Sequence, residues 1–249
     1  MIENNVIATV FFSGKIDPQR NIKYSNDFDY VERWYSCVRE LDMNAIIFHD
    51  CLADDVVSCF STEKIKFVKV DSYRYQNFCA ADYRWILYYD YFMSNKFDNI
   101  FVTDCNDVIV KNPPFNLIEK NKICIGEECD VPSLGLVNII GKSPWCRGVY
   151  SYAYANFQYW DRGILNCGIV GAKYDDFIFF VEKMKSEILR INPQKSDCDE
   201  LGIPFTIDMA VLSYVAYTYF DGRIMSGFPL HSDYKKYQLD RSDVCLIHK

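Results

Sequence analysis

No stretch of this chain approaches the roughly 20 uncharged apolar residues that a membrane-spanning helix needs, so no transmembrane anchor is expected. Residues 1–5 carry no basic cluster, and the apolar run at 6–12 is too short for the core of a secretory leader, so no leader is expected either. No internal repeat or low-complexity tract is visible. Basic residues are neither abundant nor clustered: 27 Lys and Arg stand against 34 Asp and Glu, a formal charge of −7, which argues against a nucleic-acid partner. Cys-x-x-Cys pairs are missing although the chain has 11 cysteines. The tightest spacings, Cys51 to Cys59 and Cys124 to Cys129, fit no zinc signature. Most cysteines sit in apolar stretches such as Ser36-Cys37-Val38 and Val244-Cys245-Leu246. Buried, reduced thiols in a soluble cytoplasmic protein are the expectation.

What is present is an ordinary globular complement. The 249 residues are 50% hydrophobic and 24% charged, enough for one large domain. Aromatic residues are plentiful, with 19 Tyr and 18 Phe. Most should fill a core, although such rings also stack on bases and sugar faces.

Periodicity divides the first half cleanly. Residues 6–12, 45–48 and 65–70 read as strands, and residues 30–41 and 81–97 show helical spacing. Strands alternating with helices predict an α/β fold with a largely parallel sheet. Ligands of open α/β sheets bind beyond the carboxyl ends of the strands. The loop at 13–20, His49-Asp50 and residues 104–107 all fall at such ends, so three polar clusters should converge on one crevice.

Residues 99–110 read as a buried strand, stopped by Lys111-Asn112-Pro113-Pro114. Its oddity is Asp104-Cys105-Asn106-Asp107. Two nearby carboxylates repel when ionised, and a divalent cation with oxygen ligands is a common counter-charge. Turn or capping roles are the bland alternative.

The second half is less regular. Residues 123–125 read as a strand leading to Gly126-Glu127-Glu128, and residues 131–162 as an aromatic loop. Residues 164–170 read as a strand and 175–191 as a helix. A polar loop at 192–204 precedes a helix over 209–219, for which Thr206 or Asp208 is the expected N-cap. Short strands at 224–230 and 244–247 put His231 and His248 at their ends.

These pieces, in this order, resemble the glycosyltransferases of the GT-A fold, the nucleotide-diphospho-sugar transferase superfamily, and in particular short soluble members from microbes and large DNA viruses. The resemblance spans most of the chain. Residues 101–108 look like the strand ending in a DxD-type motif, and Arg84 like the basic residue on the preceding helix. Asn166-Cys167-Gly168-Ile169-Val170-Gly171 looks like the Asn-x-Gly-x-x-Gly segment of many retaining members. Thr206-Ile207-Asp208 looks like the Thr-x-Asp that opens a helix, and His248 like the terminal histidine. The acidic spacing departs from the family, being Asp-x-x-Asp with Asn106 where a second Asp would stand.

The resemblance implies a Rossmann-like three-layer α/β/α sandwich. Residues 1–115 would form the nucleotide-binding half, and 116–249 the donor-sugar and acceptor half. It implies a metal-dependent transfer from a UDP- or GDP-sugar to a glycan or protein-linked acceptor, weakly favouring retention. If the source is a virus, the compartment would be the host cytoplasm.

Asp104, Asp107 and His248 would then bind the metal, with His231 as competitor. Imidazole suits Mn2+ better than Mg2+. Phe12, Ser13, Arg20, Arg84, Asp104, Cys105, Asn106 and Gly168 would hold the nucleotide and donor. Asp208 and Asn166 would serve the sugar. Asp161 or Glu128 would supply a base if configuration were inverted. The aromatic stretch at 145–160 would offer an acceptor platform. Two other readings are a non-catalytic glycan-binding protein of the same fold and a sugar-nucleotide nucleotidyltransferase. The second usually opens on a Gly-rich loop, whereas residues 13–20 contain only Gly14.

Overall fold

A computed structural model describes residues 4–14, 16–17, 22–71, 77–130, 137–154, 156–192 and 206–249. In chain order the strands and helices are β1 (Asn5–Phe11), β2 (Ile16–Asp17), β3 (Ile22–Lys23), α1 (Asp29–Glu40), β4 (Ala45–His49), α2 (Asp54–Phe60), β5 (Ile65–Lys69), α3 (Ala80–Ser94), β6 (Asn99–Thr103), β7 (Val108–Val110), β8 (Ile123–Glu127), α4 (Pro144–Ala153), β9 (Leu165–Lys173), α5 (Tyr174–Ile191), α6 (Asp208–Phe220), β10 (Ile224–Met225) and β11 (Leu246–His248).

Seven strands make the central sheet in the order β10-β8-β9-β6-β1-β4-β5. Every neighbour pair is parallel except those of β9, which runs antiparallel to both β6 and β8. Strands buried on both faces must be apolar throughout, and alternate residues point to opposite sides. Val6, Ala8, Ile46, Phe48, Ile100 and Val102 accordingly join α3, α4, α5 and α6 in one core layer. Ile7, Phe11, Ala45, Ile47 and Phe101 join α1 in the other. The result is a three-layer α/β/α sandwich with a mainly parallel sheet.

Several expectations need correction, among them the strand at 224–230, of which only β10 forms, and one helix, α2, has no counterpart among them. The stretch at 99–110 is two elements: β6 lies in the central sheet, whereas β7 pairs antiparallel with β11 in a separate ribbon. Charged Asp104 and Asp107 cannot continue a ladder buried on both faces, so the chain turns out of the sheet between them. Residues 131–162 are not simply a loop, because α4 lies among them. Pro144 opens it with a backbone angle suited to a first turn. Helix α2 buries no residue, and it therefore left no amphipathic signature to read. Finally, the N-cap position of α6 is Ile207, without a side-chain cap of its own. Of the polar loop at 192–204, all but Asn192 lies outside the described residues. Among the described residues no helix is long and apolar enough to cross a membrane.

Candidate functional site

The antiparallel placement of β9 organises the cleft. Register pairs Thr103, the last residue of β6, with Ile169. The beginning of β9, Asn166 to Gly168, is thereby carried to the same sheet edge as the carboxyl ends of β1 and β6. Asp104 N donates to Gly168 O at 2.9 Å and fixes the junction. The cleft beyond this edge is lined by Phe12, Arg84, Asp104, Asn106, Asp107, Asn166, Gly168, Asp208 and His248, together with Cys105 and Cys167.

Arg84, buried on α3, bridges two carboxylates. Its Nη1 pairs with Asp104 Oδ1, and its Nη2 donates to Asp208 Oδ2 at 2.9 Å. The guanidinium fork is therefore committed to carboxylates, which hold it well above its usual pKa despite burial. The other oxygen of Asp208 accepts from Thr206 Oγ1 and from Met209 N, both at 2.9 Å. Asp208 is the first residue of α6, where the helix dipole favours negative charge.

The remaining oxygen of Asp104 faces His248 and Asn166 across Gly168. A Cβ at Gly168 would stand 2.8 Å from Asp104 Oδ2, 2.9 Å from His248 Nε2 and 3.0 Å from Asn166 Oδ1. Three donor atoms thus converge on a point that only glycine leaves open. The ribbon of β7 and β11 explains how a residue near position 249 reaches this point, because it sets His248 opposite Val108. Lys249 N then donates to Asp107 O at 2.8 Å. Burial drives the His248 pKa down to about 4 against the opposing pull of Asp104, so its imidazole is neutral. The Asn166 amide is aimed from both ends. Its Oδ1 accepts from Gly168 N at 2.7 Å, and its Nδ2 donates to Glu128 Oε1 at 3.2 Å.

No protein-family model and no curated protein matches this chain.

One wall of the cleft is aromatic. Phe11 stacks on Tyr30 with ring centroids 5.2 Å apart, and Tyr24 lies 4.5 Å from Tyr30. Burial together with Cys105, Tyr24 and Asp107 raises the Tyr30 pKa, so its hydroxyl stays protonated. Tyr234 closes the other side, its ring 4.6 Å from that of His248.

The remaining expectations divide plainly. Ser13 is buried behind the cleft: Asp50 accepts its backbone N–H and that of Gly14, both at 3.0 Å. Arg20 lies outside the described residues. Asp161 is exposed and does not line the cleft. His231 is locked into structure, with Nε2 accepting from Glu127 N at 3.2 Å and Gly227 N at 3.1 Å. In the aromatic stretch, Tyr150, Tyr154 and Phe157 are core, and Tyr150 stacks on Phe157 at 4.5 Å. Every cysteine among the described residues is a free thiol. Burial pushes Cys105 up to about 12, which makes it a poor nucleophile.

Sequence reasoning missed Tyr24, Tyr30, Tyr234 and Asp82. Tyr30 reads as an ordinary helix position, and Tyr24 and Tyr234 lie in segments without periodicity. Asp82 stands two places before Arg84 and looks like a first-turn helix carboxylate. Among the described residues, no three His, Cys, Asp or Glu side chains are grouped to hold a metal ion. The convergence over Gly168 instead combines one carboxylate, one imidazole and one amide.

Proposed function

We propose that the chain is a divalent-metal-dependent glycosyltransferase. It would move a sugar from a nucleoside-diphospho-sugar, UDP- or GDP-linked, to a glycan or protein-linked acceptor. The observation that carries this reading is the convergence of Asp104 Oδ2, His248 Nε2 and Asn166 Oδ1 over Gly168, beside an aromatic wall at the carboxyl edge of the sheet.

The donor set fits a divalent cation: a carboxylate oxygen, a neutral imidazole nitrogen and an amide oxygen. Asp104 and His248 would hold it, with Asp107 and Asn166 alongside, and the imidazole favours Mn2+ over Mg2+. Ions of this type are commonly bound through one or two carboxylates plus the phosphates of the substrate, so a full protein cage is not required. When bound, the cation supplies Lewis-acid charge at a diphosphate leaving group. Electrostatics supports the same reading. Asp104 and Asp208 share the single guanidinium of Arg84, and Asp107 adds a further carboxylate to the cleft. A bare diphosphate would be repelled there, whereas a metal-bound one would not.

The protein's own residues take separate roles. Arg84 fixes the two carboxylates relative to each other. Asp208 carries the negative charge that favours an oxocarbenium-like sugar in the transition state. Asn166, oriented from both ends, is suited to a donor-sugar hydroxyl. Phe11, Tyr24 and Tyr30 are suited to a nucleobase. Retention of configuration is the outcome we favour. A sugar-nucleotide nucleotidyltransferase is disfavoured by the loop after β1, because the Ser13 and Gly14 amides are occupied by Asp50 and are not open to a phosphate.

Thermal-shift measurement with nucleoside diphosphates tests this reading. UDP or GDP with Mn2+ should raise the melting temperature, and Asp104→Ala should remove the rise. Absence of a shift with every nucleotide would count against the reading.

A further inference from the structure

The start of α6 is held by a residue that does not belong to it. Asp82, on α3, is fully buried. Its Oδ1 accepts from Ile207 N and Asp208 N, both at 3.0 Å, and from Thr206 Oγ1 at 3.3 Å. The first N–H groups of a helix have no partner inside it, so a carboxylate at this place satisfies donors that would otherwise be buried and unpaired. The local side chains do not reach the Ile207 and Asp208 amides. Ile207 has nothing to offer, and Asp208 gives one oxygen to Arg84 and the other to Thr206 Oγ1 and the next amide, Met209 N. Thr206 lies between Asp82 and Asp208, at 3.3 Å and 2.9 Å from one oxygen of each, so its single hydroxyl proton is shared by two carboxylates.

Asp82 and Arg84 both belong to the first turns of α3. One grips the backbone at the start of α6, and the other grips the first side chain of that helix. Together they form a clamp across 124 to 126 residues of sequence. We propose that Asp82 is a positioning residue for the cleft. It sets where α6 begins, and thereby holds Asp208 and Thr206 in the geometry in which Asp208 meets Arg84. The proposal rests on the glycosyltransferase reading only where it speaks of catalysis; the positioning itself is a property of the free protein.

Asp82→Ala and Asp82→Asn separate the possibilities, since Asn keeps a carbonyl oxygen where Oδ1 stands. Amide hydrogen exchange and nitrogen-15 spectra of the Arg84 guanidinium would be recorded on the ligand-free proteins. In Asp82→Ala, exchange at Ile207 and Asp208 should quicken at least tenfold, while the middle of α6 stays protected. The slowly exchanging Nη protons of Arg84 should be lost. Asp82→Asn should restore both. Donor turnover should follow, with kcat down at least tenfold in the alanine variant, KM within about threefold, and recovery in the asparagine variant. Unchanged Arg84 signals in Asp82→Ala would overturn the proposal, as would quickened exchange that leaves Arg84 and turnover untouched. A wild-type protein inert toward every nucleotide-sugar would remove the donor reading, and the exchange and guanidinium data would still decide the role of Asp82.

Discussion

Arg84 Nη2 meets Asp208 Oδ2 at 2.9 Å, joining α3 to α6 across 124 residues of sequence. Both side chains are almost wholly buried, at 10% and 5% exposure, so neither partner has water to fall back on. Breaking such a pair from one side leaves an uncompensated buried charge. Arg84→Ala should therefore destabilise the fold by about 3–5 kcal/mol in urea unfolding. Arg84→Lys should recover little of it, because an ammonium cannot bridge Asp104 and Asp208 with a planar fork. A loss below about 1 kcal/mol for Arg84→Ala would show that the bridge is not structural.

Two glycines of β9 should separate folding from binding. A Cβ at Gly171 would lie 2.4 Å from the Phe101 ring, and the register directly pairs these two residues. Gly171→Ala should cost about 2–3 kcal/mol through overpacking. At Gly168 the nearest atoms are side-chain ends of Asp104, His248 and Asn166, which can yield. Gly168→Ala should melt closer to wild type, yet lose the thermal shift with nucleoside diphosphate and Mn2+. Retention of that shift would mean that the ligand sits elsewhere.

Acid should weaken the fold through His231. Its Nε2 accepts from two backbone N–H groups, and its Nδ1 lies 2.7 Å from Ser232 O, which fixes the neutral ring. Burial lowers its pKa below the usual 6.5. The unfolded chain therefore binds a proton that the folded protein refuses. Its contribution to stability is complete above about pH 6.5 and falls as pH drops toward the lowered folded value. Urea midpoints at pH 7.5 and pH 5 should differ in wild type, and the difference should shrink in His231→Gln. An equal acid slope in the variant would assign the effect to other groups.

Removing the Tyr30 ring should reduce nucleotide affinity. Stacking of a base on an aromatic ring is worth about 1–3 kcal/mol. Tyr30→Ala should thus raise the Kd of the preferred nucleoside diphosphate by roughly five- to thirtyfold, taking about 1–2 kcal/mol. The Kd for Mn2+ alone, by calorimetry, should remain unchanged. An unaltered nucleotide Kd would place the base away from this wall.

Much of this architecture is legible in the sequence, for physical reasons. The strands β1, β4 and β6 are buried on both faces, so their apolar runs are continuous, and α1 shows its buried Val31, Trp34, Tyr35 and Val38 at helical spacing. Arg84, Asp104, Asn166, Gly168, Asp208 and His248 can be picked out as a set through the family motifs that their segments resemble. Their joint placement in one cleft is a property of the fold. The aromatic wall is not legible, because the approach of Tyr24 to Tyr30 depends on the path of a segment without periodicity. Nor is the true cap of α6, because Asp82 is 126 residues away from Asp208. The break after Thr103 could be anticipated from the charge of Asp104, but not the pairing of β7 with the end of the chain. That pairing is a contact between segments more than a hundred residues apart.

The most direct measurement is release of nucleoside diphosphate from a panel of UDP- and GDP-sugars by the purified protein, with Mn2+ and with chelator. We predict turnover of at least one donor that needs Mn2+. It should fall by at least a hundredfold in Asp208→Asn and in Asp104→Asn, while both variants keep their folded far-ultraviolet spectra. Turnover that is indifferent to chelator and to both substitutions, or absent for every donor in the presence of Mn2+, would contradict the account.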